Sequence, residues 1–295
     1  MKILLLGKNG QVGWELQRAL APLGTLTALD RHSSDFCGDL ANPTGIAATI
    51  HALKPDVIVN AAAHTAVDKA ESEPALAATL NTAAVAVMAD AAEKVGALLI
   101  HYSTDYVFNG EGETPWSEDD ATAPLSVYGK TKREGEEAIV NTCSHYLIFR
   151  TSWVYAAKGN NFAKTMLKLA ADRDELSVIN DQFGAPTGAE LIADCTAHAL
   201  RKAKNNPYFS GIYHLIANGT TTWYEYASYV ISVGREKGLA LKVRKINAVT
   251  TDAFPTAARR PANSRLNITK FQQRFGLILP DWRVGVERML SEIIG

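Results

Sequence analysis

The chain is poor in cysteine, in charge imbalance and in long apolar runs, and each shortage closes off a class of function. Three cysteines occur in 295 residues: Cys37, Cys143 and Cys195. They are scattered, odd in number and form no CxxC pair, which excludes a disulfide framework and fits a reducing, cytoplasmic setting. The 30 Lys and Arg nearly cancel the 31 Asp and Glu, leaving a formal net charge of -1. Nothing in that balance favours nucleic acid or a membrane surface as a partner. The seven histidines show no HxxH or HExxH spacing, so a catalytic zinc is not expected. The first apolar run, residues 3–6, stops at Gly7 and is too short for a signal segment or a membrane span. It reads as a buried strand. No internal repeat, low-complexity tract or flexible linker is present. With 47% hydrophobic and 21% charged residues, the composition is that of an ordinary globular protein with a real core.

Short apolar runs at 3–6, 25–29, 56–60, 97–102 and 146–150 alternate with segments of helical spacing, among them 14–20, 75–95 and 128–140. Alternation of this kind predicts βαβ units and a parallel sheet. Runs without polar interruption fit strands covered on both faces. Beyond residue 150 the pattern is less regular. Helical spacing returns at 162–171, 222–233, 267–275 and 282–294, and strand-like runs lie at 176–180 and 211–216. The fold expected is α/β: a Rossmann-type doubly wound parallel sheet over 1–150, with a smaller, interleaved α/β domain over 151–295. Strands near 176–181 and 211–217 are expected to return to the first sheet.

Between the first strand and the first helix lies Gly7-Lys8-Asn9-Gly10-Gln11-Val12-Gly13, spaced GxxGxxG. Glycines there permit a tight turn and close approach of the backbone to a pyrophosphate, and the helix N-terminus offers free N–H groups. Asp30, at the end of the second strand, stands where a carboxylate would bind an adenosine ribose. That carboxylate would repel a 2′-phosphate and so favour NAD. Arg31 beside it can pair with such a phosphate, so NADH and NADPH both stay open. Asp39-Leu40 either approaches the adenine or forms an ordinary turn.

Tyr128 and Lys132 are four residues apart, one turn along the same face if the segment is helical. A phenol is a poor proton donor at neutral pH unless a nearby positive charge favours its anion. Such a pair suits a reaction in which a carbonyl oxygen is protonated while its carbon is attacked. By spacing alone it is equally a solvated helix face.

Taken with the glycine loop, Ser103-Thr104-Asp105 and Tyr128-x-x-x-Lys132 make the chain resemble the extended short-chain dehydrogenase/reductases, which act mostly on nucleotide sugars. The segments 60–71, 103–110, 150–155, 161–162, 181–187 and 260–266 narrow the likeness to dTDP-4-dehydrorhamnose reductases. It spans nearly the whole chain. The resemblance implies hydride transfer from NADPH or NADH to the C4 ketone of dTDP-4-dehydro-L-rhamnose, for rhamnose of bacterial surface polysaccharide. It implies Tyr128 as proton donor, Lys132 lowering the phenol's pKa and holding the nicotinamide ribose, and Thr104 bonding the substrate oxygen. Only one of Ser103 and Thr104 is expected to face the ketone, since successive strand residues point oppositely. The segment of Ala61, Ala62, Ala63 and Thr65 implies a loop on the cofactor side, with His64 near it. Asp105 would bind a sugar hydroxyl. Trp153 packs against sugar or base, or else only in the core. Arg259, Arg260 and Arg265 neutralise the diphosphate, or else are solvated. Sugar 4,6-dehydratases of this family place Asp-Glu after the Thr, whereas Tyr106 follows Asp105 here, which favours plain reduction. His101 and His214 read as core residues. Some reductases of this family carry magnesium between subunits, which implies a homodimer and Glu190, Glu287 and Glu292 as oxygen ligands, against the alternative of solvated helix faces. Two other readings stay open: an epimerase or dehydratase of the same fold, and a non-catalytic subunit like the regulatory subunit of methionine adenosyltransferase.

Overall fold

The computed structural model describes residues 1–295. The first half runs β1 (Lys2–Leu6), α1 (Gln11–Leu20), β2 (Thr25–Leu29), α2 (Pro43–Leu53), β3 (Val57–Asn60), α3 (Val67–Ser72), α4 (Pro74–Ala78), α5 (Ala84–Val95), β4 (Leu98–Thr104), α6 (Val127–Thr142) and β5 (Tyr146–Thr151). Then come β6 (Val154–Tyr155), α7 (Phe162–Asp172), β7 (Glu175–Ile179), β8 (Phe183–Gly184), β9 (Thr187–Gly188), α8 (Ala189–Ala203), β10 (Gly211–His214), β11 (Thr221–Thr222), α9 (Trp223–Glu236), β12 (Lys245–Val249), α10 (Thr269–Phe275) and α11 (Trp282–Ile294).

The main sheet has the order β10-β5-β4-β3-β1-β2 and is parallel throughout. Its two faces follow from the pleat, because successive side chains go to opposite sides. Ile3, Leu5, Val57, Val59, Leu98 and Ile100 pack with residues of α1, α8 and α10. Leu4, Leu6, Ile58, Leu99 and Ile148 pack with residues of α2 and α5. The fold class is the α/β, Rossmann-type one expected. β10 lies on the edge of the main sheet, where a returning strand was expected. β7 corrects the companion expectation: it pairs in parallel with β12, apart from the main sheet. Its alternating burial leaves one face wet, which a strand inside the covered sheet could not have. Two further pairs, β6 with β9 and β8 with β11, shape the second half around the ends of the main strands.

The expected long helix over 75–95 is not a regular α-helix: Thr79–Ala83 forms a π-turn between α4 and α5. Its Asn81 is fully buried. The side chain accepts from the His64 N–H at 2.8 Å and donates to the His64 carbonyl at 3.1 Å and Thr131 Oγ1 at 3.2 Å. Such widened turns often accompany functional sites; this one fastens the loop after β3 to α6. Pro74–Val95 is the one stretch long and apolar enough to span a membrane, but here it carries the buried amide and packs on α2 and α6. α6 starts at Ser126, whose hydroxyl accepts from the Gly129 N–H at 3.1 Å. That cap sets the rotation of the helix and so the direction of Tyr128 and Lys132.

Candidate active site

A cleft of about 920 Å³ opens beyond the C-terminal ends of the main strands. The strand order places a crossover reversal between β1 and β3, the position at which open parallel sheets leave a crevice. Gly7 turns there with φ +86°, and a β-carbon on it would meet the Ala61 and Ala62 backbone at 2.8 Å. Gly10 precedes α1 and leaves the first N–H groups of the helix without a side-chain cap. Gly13 does not line the cleft, although it was counted among the binding residues. It packs beneath the turn instead, and a β-carbon there would sit 2.0 Å from the Gly7 carbonyl oxygen.

Asn9, Gln11, Val12, Asp30, Arg31, Asp39 and Leu40 all line this end, and so do Ala61, Ala62, Ala63 and Thr65. The Asn9 amide donates to Asp30 Oδ2. Asp30 Oδ1 accepts from the His32 N–H at 2.9 Å, which, with the nearby Lys8, holds the carboxyl below its usual range. Asp30 and Arg31 border the cleft side by side. Gln11 Oε1 is buried there without a partner. His64 is absent from the lining; its ring lies 3.6 Å from Glu73.

The structure brings Thr104, Tyr128 and Lys132 to the middle of the cleft. The Thr104 hydroxyl caps the turn after β4, accepting from the Tyr106 N–H at 3.2 Å and donating to Asp105 Oδ1 at 3.1 Å. It also lies within hydrogen-bond reach of the Tyr128 phenol. Ser103 lines the cleft as well. Ser103 Oγ and Thr151 Oγ1 are buried with no partner.

Lys132 is 2% exposed, and burial brings its pKa down to about 8. Its Nζ donates to the Tyr102 carbonyl at 2.6 Å and lies 3.1 Å from His101 Nε2. Burial pushes the Tyr128 phenol up and Asp105 and Tyr106 add to this, while Thr104 works against it. The phenol is thus held protonated. Burial likewise brings Asp105 up to about 6, and its Oδ2 has no partner.

An aromatic wall closes the far side. Trp153 stacks on Trp223 with centroids 3.6 Å apart, and both line the cleft. Trp153 adopts φ +48°, a conformation costly for a bulky residue and found where function fixes a side chain. A β-carbon at Gly184 would come within 2.7 Å of its ring. Trp223, 70 residues along the chain, carries no sequence signal of its own.

Arg260 reaches the cleft and donates to the Tyr106 hydroxyl at 3.1 Å and Asp68 Oδ2 at 2.7 Å. Tyr106 in turn meets the Tyr128 ring edge-on at 5.6 Å. Arg259 is exposed and outside the lining, so only one of this arginine pair belongs to the site. Arg265 is also outside the lining and stacks over Phe183 at 4.0 Å. Asp68 and Trp223 are site residues that sequence reasoning did not single out, and the tie of Tyr106 to Arg260 is new with the structure. His101 lies in the core as expected, yet it contacts Lys132. Glu190, Glu287 and Glu292 make no metal-holding cluster within the chain; Glu190 pairs with Arg288 at 3.2 Å, which satisfies its charge.

Comparison with known proteins extends this likeness to the whole chain. The RmlD substrate binding domain family matches residues 1–294. The dTDP-4-dehydrorhamnose reductase of Shigella flexneri is 67% identical over 293 residues, covering 99% of this chain and 98% of that one. Among solved structures, a dTDP-4-dehydrorhamnose reductase from Clostridium acetobutylicum superposes with a TM-score of 0.90 at 35% identity, covering 99% of both chains. The Bacillus anthracis dTDP-4-dehydrorhamnose reductase in complex with NADP does so with a TM-score of 0.87 at 33% identity, covering 99% of this chain and 100% of that one. The chain belongs to the RmlD substrate binding domain family, that of the dTDP-4-dehydrorhamnose reductases.

Proposed function

We propose that this protein reduces the C4 ketone of dTDP-4-dehydro-L-rhamnose to give dTDP-L-rhamnose, with NADPH or NADH as reductant. The observation that carries the reading is the convergence of Thr104, Tyr128 and Lys132 in one cleft with the glycine turn. The cofactor end fits a dinucleotide on its own terms. Gly7 leaves a cradle that a β-carbon would fill, the α1 N-terminus is uncapped, and Gln11, Ser103 and Thr151 present buried, unpartnered oxygens. Asp30 and Arg31 together suit either an adenosine ribose or its 2′-phosphate. When bound, the nicotinamide supplies the hydride.

The protein's own residues do the rest. Tyr128, kept protonated by burial, gives its phenolic proton to the C4 oxygen as negative charge develops there. The Thr104 hydroxyl, turned from Asp105 Oδ1, donates a second hydrogen bond to that oxygen; donors aimed at developing charge are worth most in a buried site. Lys132 holds the nicotinamide ribose with the N–H left over from Tyr102 and His101. The Trp153–Trp223 stack offers a flat apolar wall for the sugar or base. Arg260, steadied by Asp68, supplies positive charge for the diphosphate. Tyr106, bonded to Arg260, stands where a second carboxylate would follow Asp105, so the Asp-Glu pair that drives elimination of water is incomplete.

The same reading assigns the product to rhamnose of surface polysaccharide and the enzyme to the cytoplasm as a homodimer, both resting on the family. The test is oxidation of NADPH and NADH by the full chain against a panel of 4-keto sugar nucleotides, with product analysis. Stoichiometric loss of reduced cofactor with dTDP-4-dehydro-L-rhamnose supports the reading. Conversion of a sugar nucleotide with the cofactor recycled would replace it with an epimerase or dehydratase.

A further inference from the structure

His101 and Asn60 are direct neighbours across β4 and β3, and each is 1% exposed. Asn60 Oδ1 accepts from the Ala62 N–H at 3.1 Å, and that backbone donor fixes which way the amide faces. Its Nδ2, a donor only, is therefore the atom 3.1 Å from His101 Nδ1. Nδ1 must accept, so the ring is neutral and carries its proton on Nε2. That Nε2–H faces Lys132 Nζ at 3.1 Å. An ammonium has three donors and no acceptor, and two donors cannot share a hydrogen bond. Nζ resolves the conflict by presenting a lone pair to His101 and one N–H to the Tyr102 carbonyl at 2.6 Å. One N–H is left for the cleft.

We propose that His101 is a positioning residue: locked in its Nε2–H form by Asn60, it favours the neutral amine of Lys132 over the ammonium in the ligand-free protein. Protonating Nζ requires the imidazole to move its proton to Nδ1, against the Asn60 amide, or the network to part. The charge of Lys132 is thereby coupled to the loop carrying Ala62 on the cofactor side. Besides His101, the ionisable group acting on Nζ is Glu136 on α6; Tyr102 meets it through its backbone carbonyl, its own hydroxyl being bonded to Thr196. The Glu136 carboxylate favours the ammonium, yet it is itself held by Arg150 through hydrogen bonds of 2.9 and 2.7 Å. Burial works in the same direction as His101 and brings Lys132 to about 8.

The inference concerns the resting protein; its bearing on catalysis rests on the reductase reading above. The direct test is nitrogen NMR of the full chain labelled at His and Lys, without cofactor, at about pH 9, where exposed lysines are still mostly ammonium. The expected spectrum has one histidine protonated at Nε2, lost in His101→Gln, and one amine-type Nζ, lost in Lys132→Met, whose titration moves up in His101→Gln. A proton on Nδ1, or an ammonium at Lys132, overturns the proposal. If His101→Gln does not fold, Asn60→Asp provides the second arm. A carboxylate accepts from Nδ1–H, which frees Nε2 to accept from an ammonium. The Lys132 titration, and the limb of the kcat/KM profile that follows it, should then move up by about one pH unit, the scale of one hydrogen bond to the amine form. An unmoved titration overturns the proposal. Failed turnover on sugar nucleotides with the expected spectrum would instead refute the reductase reading and leave this inference standing.

Discussion

Replacing Glu136 with Gln should unseat the helix that carries Tyr128 and Lys132. Glu136 and Arg150 are exposed by only 0% and 2%, and they pair bidentately at 2.9 and 2.7 Å. Arg150 also lies over the Phe108 ring at 5.1 Å and beside His214, whose pKa burial and this arginine bring down to about 3. No second carboxylate stands ready to take the guanidinium. Removing one partner of such a pair costs about 3–5 kcal/mol, because a charge is left buried without its counterpart. At about 2–3 °C per kcal/mol for a chain of this size, the thermal midpoint should fall by roughly 6–15 °C. Urea unfolding should show the same loss as a lower midpoint at unchanged slope. The Glu136→Leu, Arg150→Met double variant, with no charge left to strand, should recover most of it. A Glu136→Gln loss under about 1 kcal/mol would mean that solvent reaches the pair, and the reasoning would fail.

Three further predictions test the cleft. Asp105, raised from 3.8 to about 6 by burial, binds its proton more tightly folded than unfolded, so it contributes stability that is complete below pH 3.8 and lost as pH rises through 6. Denaturation midpoints of the native chain should therefore fall across that window relative to Asp105→Asn, by up to about 3 kcal/mol for the roughly two-unit shift; parallel curves would contradict this. Gly7→Ala would drive a β-carbon to 2.8 Å from the Ala61 backbone, so NADPH affinity by fluorescence titration should drop at least about tenfold, with about 1–3 kcal/mol of stability lost. Arg260→Ala should raise KM for the sugar nucleotide by about tenfold, while the exposed Arg259→Ala leaves it nearly unchanged; equal effects would mean that the cleft is drawn wrongly.

What could be read from the sequence, and what could not, divides along physical lines. β1, β3 and the first halves of β4 and β5 are apolar runs, a pattern that burial on both faces requires, whereas the edge strand β2 mixes Thr with apolar residues and is only partly buried. α8 was not assigned because small residues, Ala189, Ala193, Cys195, Thr196, Ala199 and Ala203, fill most of its buried face and leave only Ile192 and Leu200 to mark the period. α2 was missed for a related reason, although Asn42-Pro43 is a good helix start. The Thr104, Tyr128 and Lys132 constellation was legible because its spacing is local or tied to strand ends. The Arg260–Asp68 contact joins residues 192 apart, and the Trp153–Trp223 stack joins the turn after β5 to the start of α9, so neither leaves a mark on local pattern. The contacts of Lys132 Nζ with the Tyr102 carbonyl and His101 cross from α6 to β4, so spacing along the chain does not announce them.

The central claim is that Tyr128 delivers a proton to a ketone being reduced in this cleft. Its most direct test is single-turnover oxidation of bound NADPH by dTDP-4-dehydro-L-rhamnose in Tyr128→Phe, with cofactor affinity measured on the same preparation. The account predicts a rate at least about 100-fold lower, the scale of general acid catalysis, with the Kd for NADPH within about threefold of the native value. A native rate in that variant would contradict it.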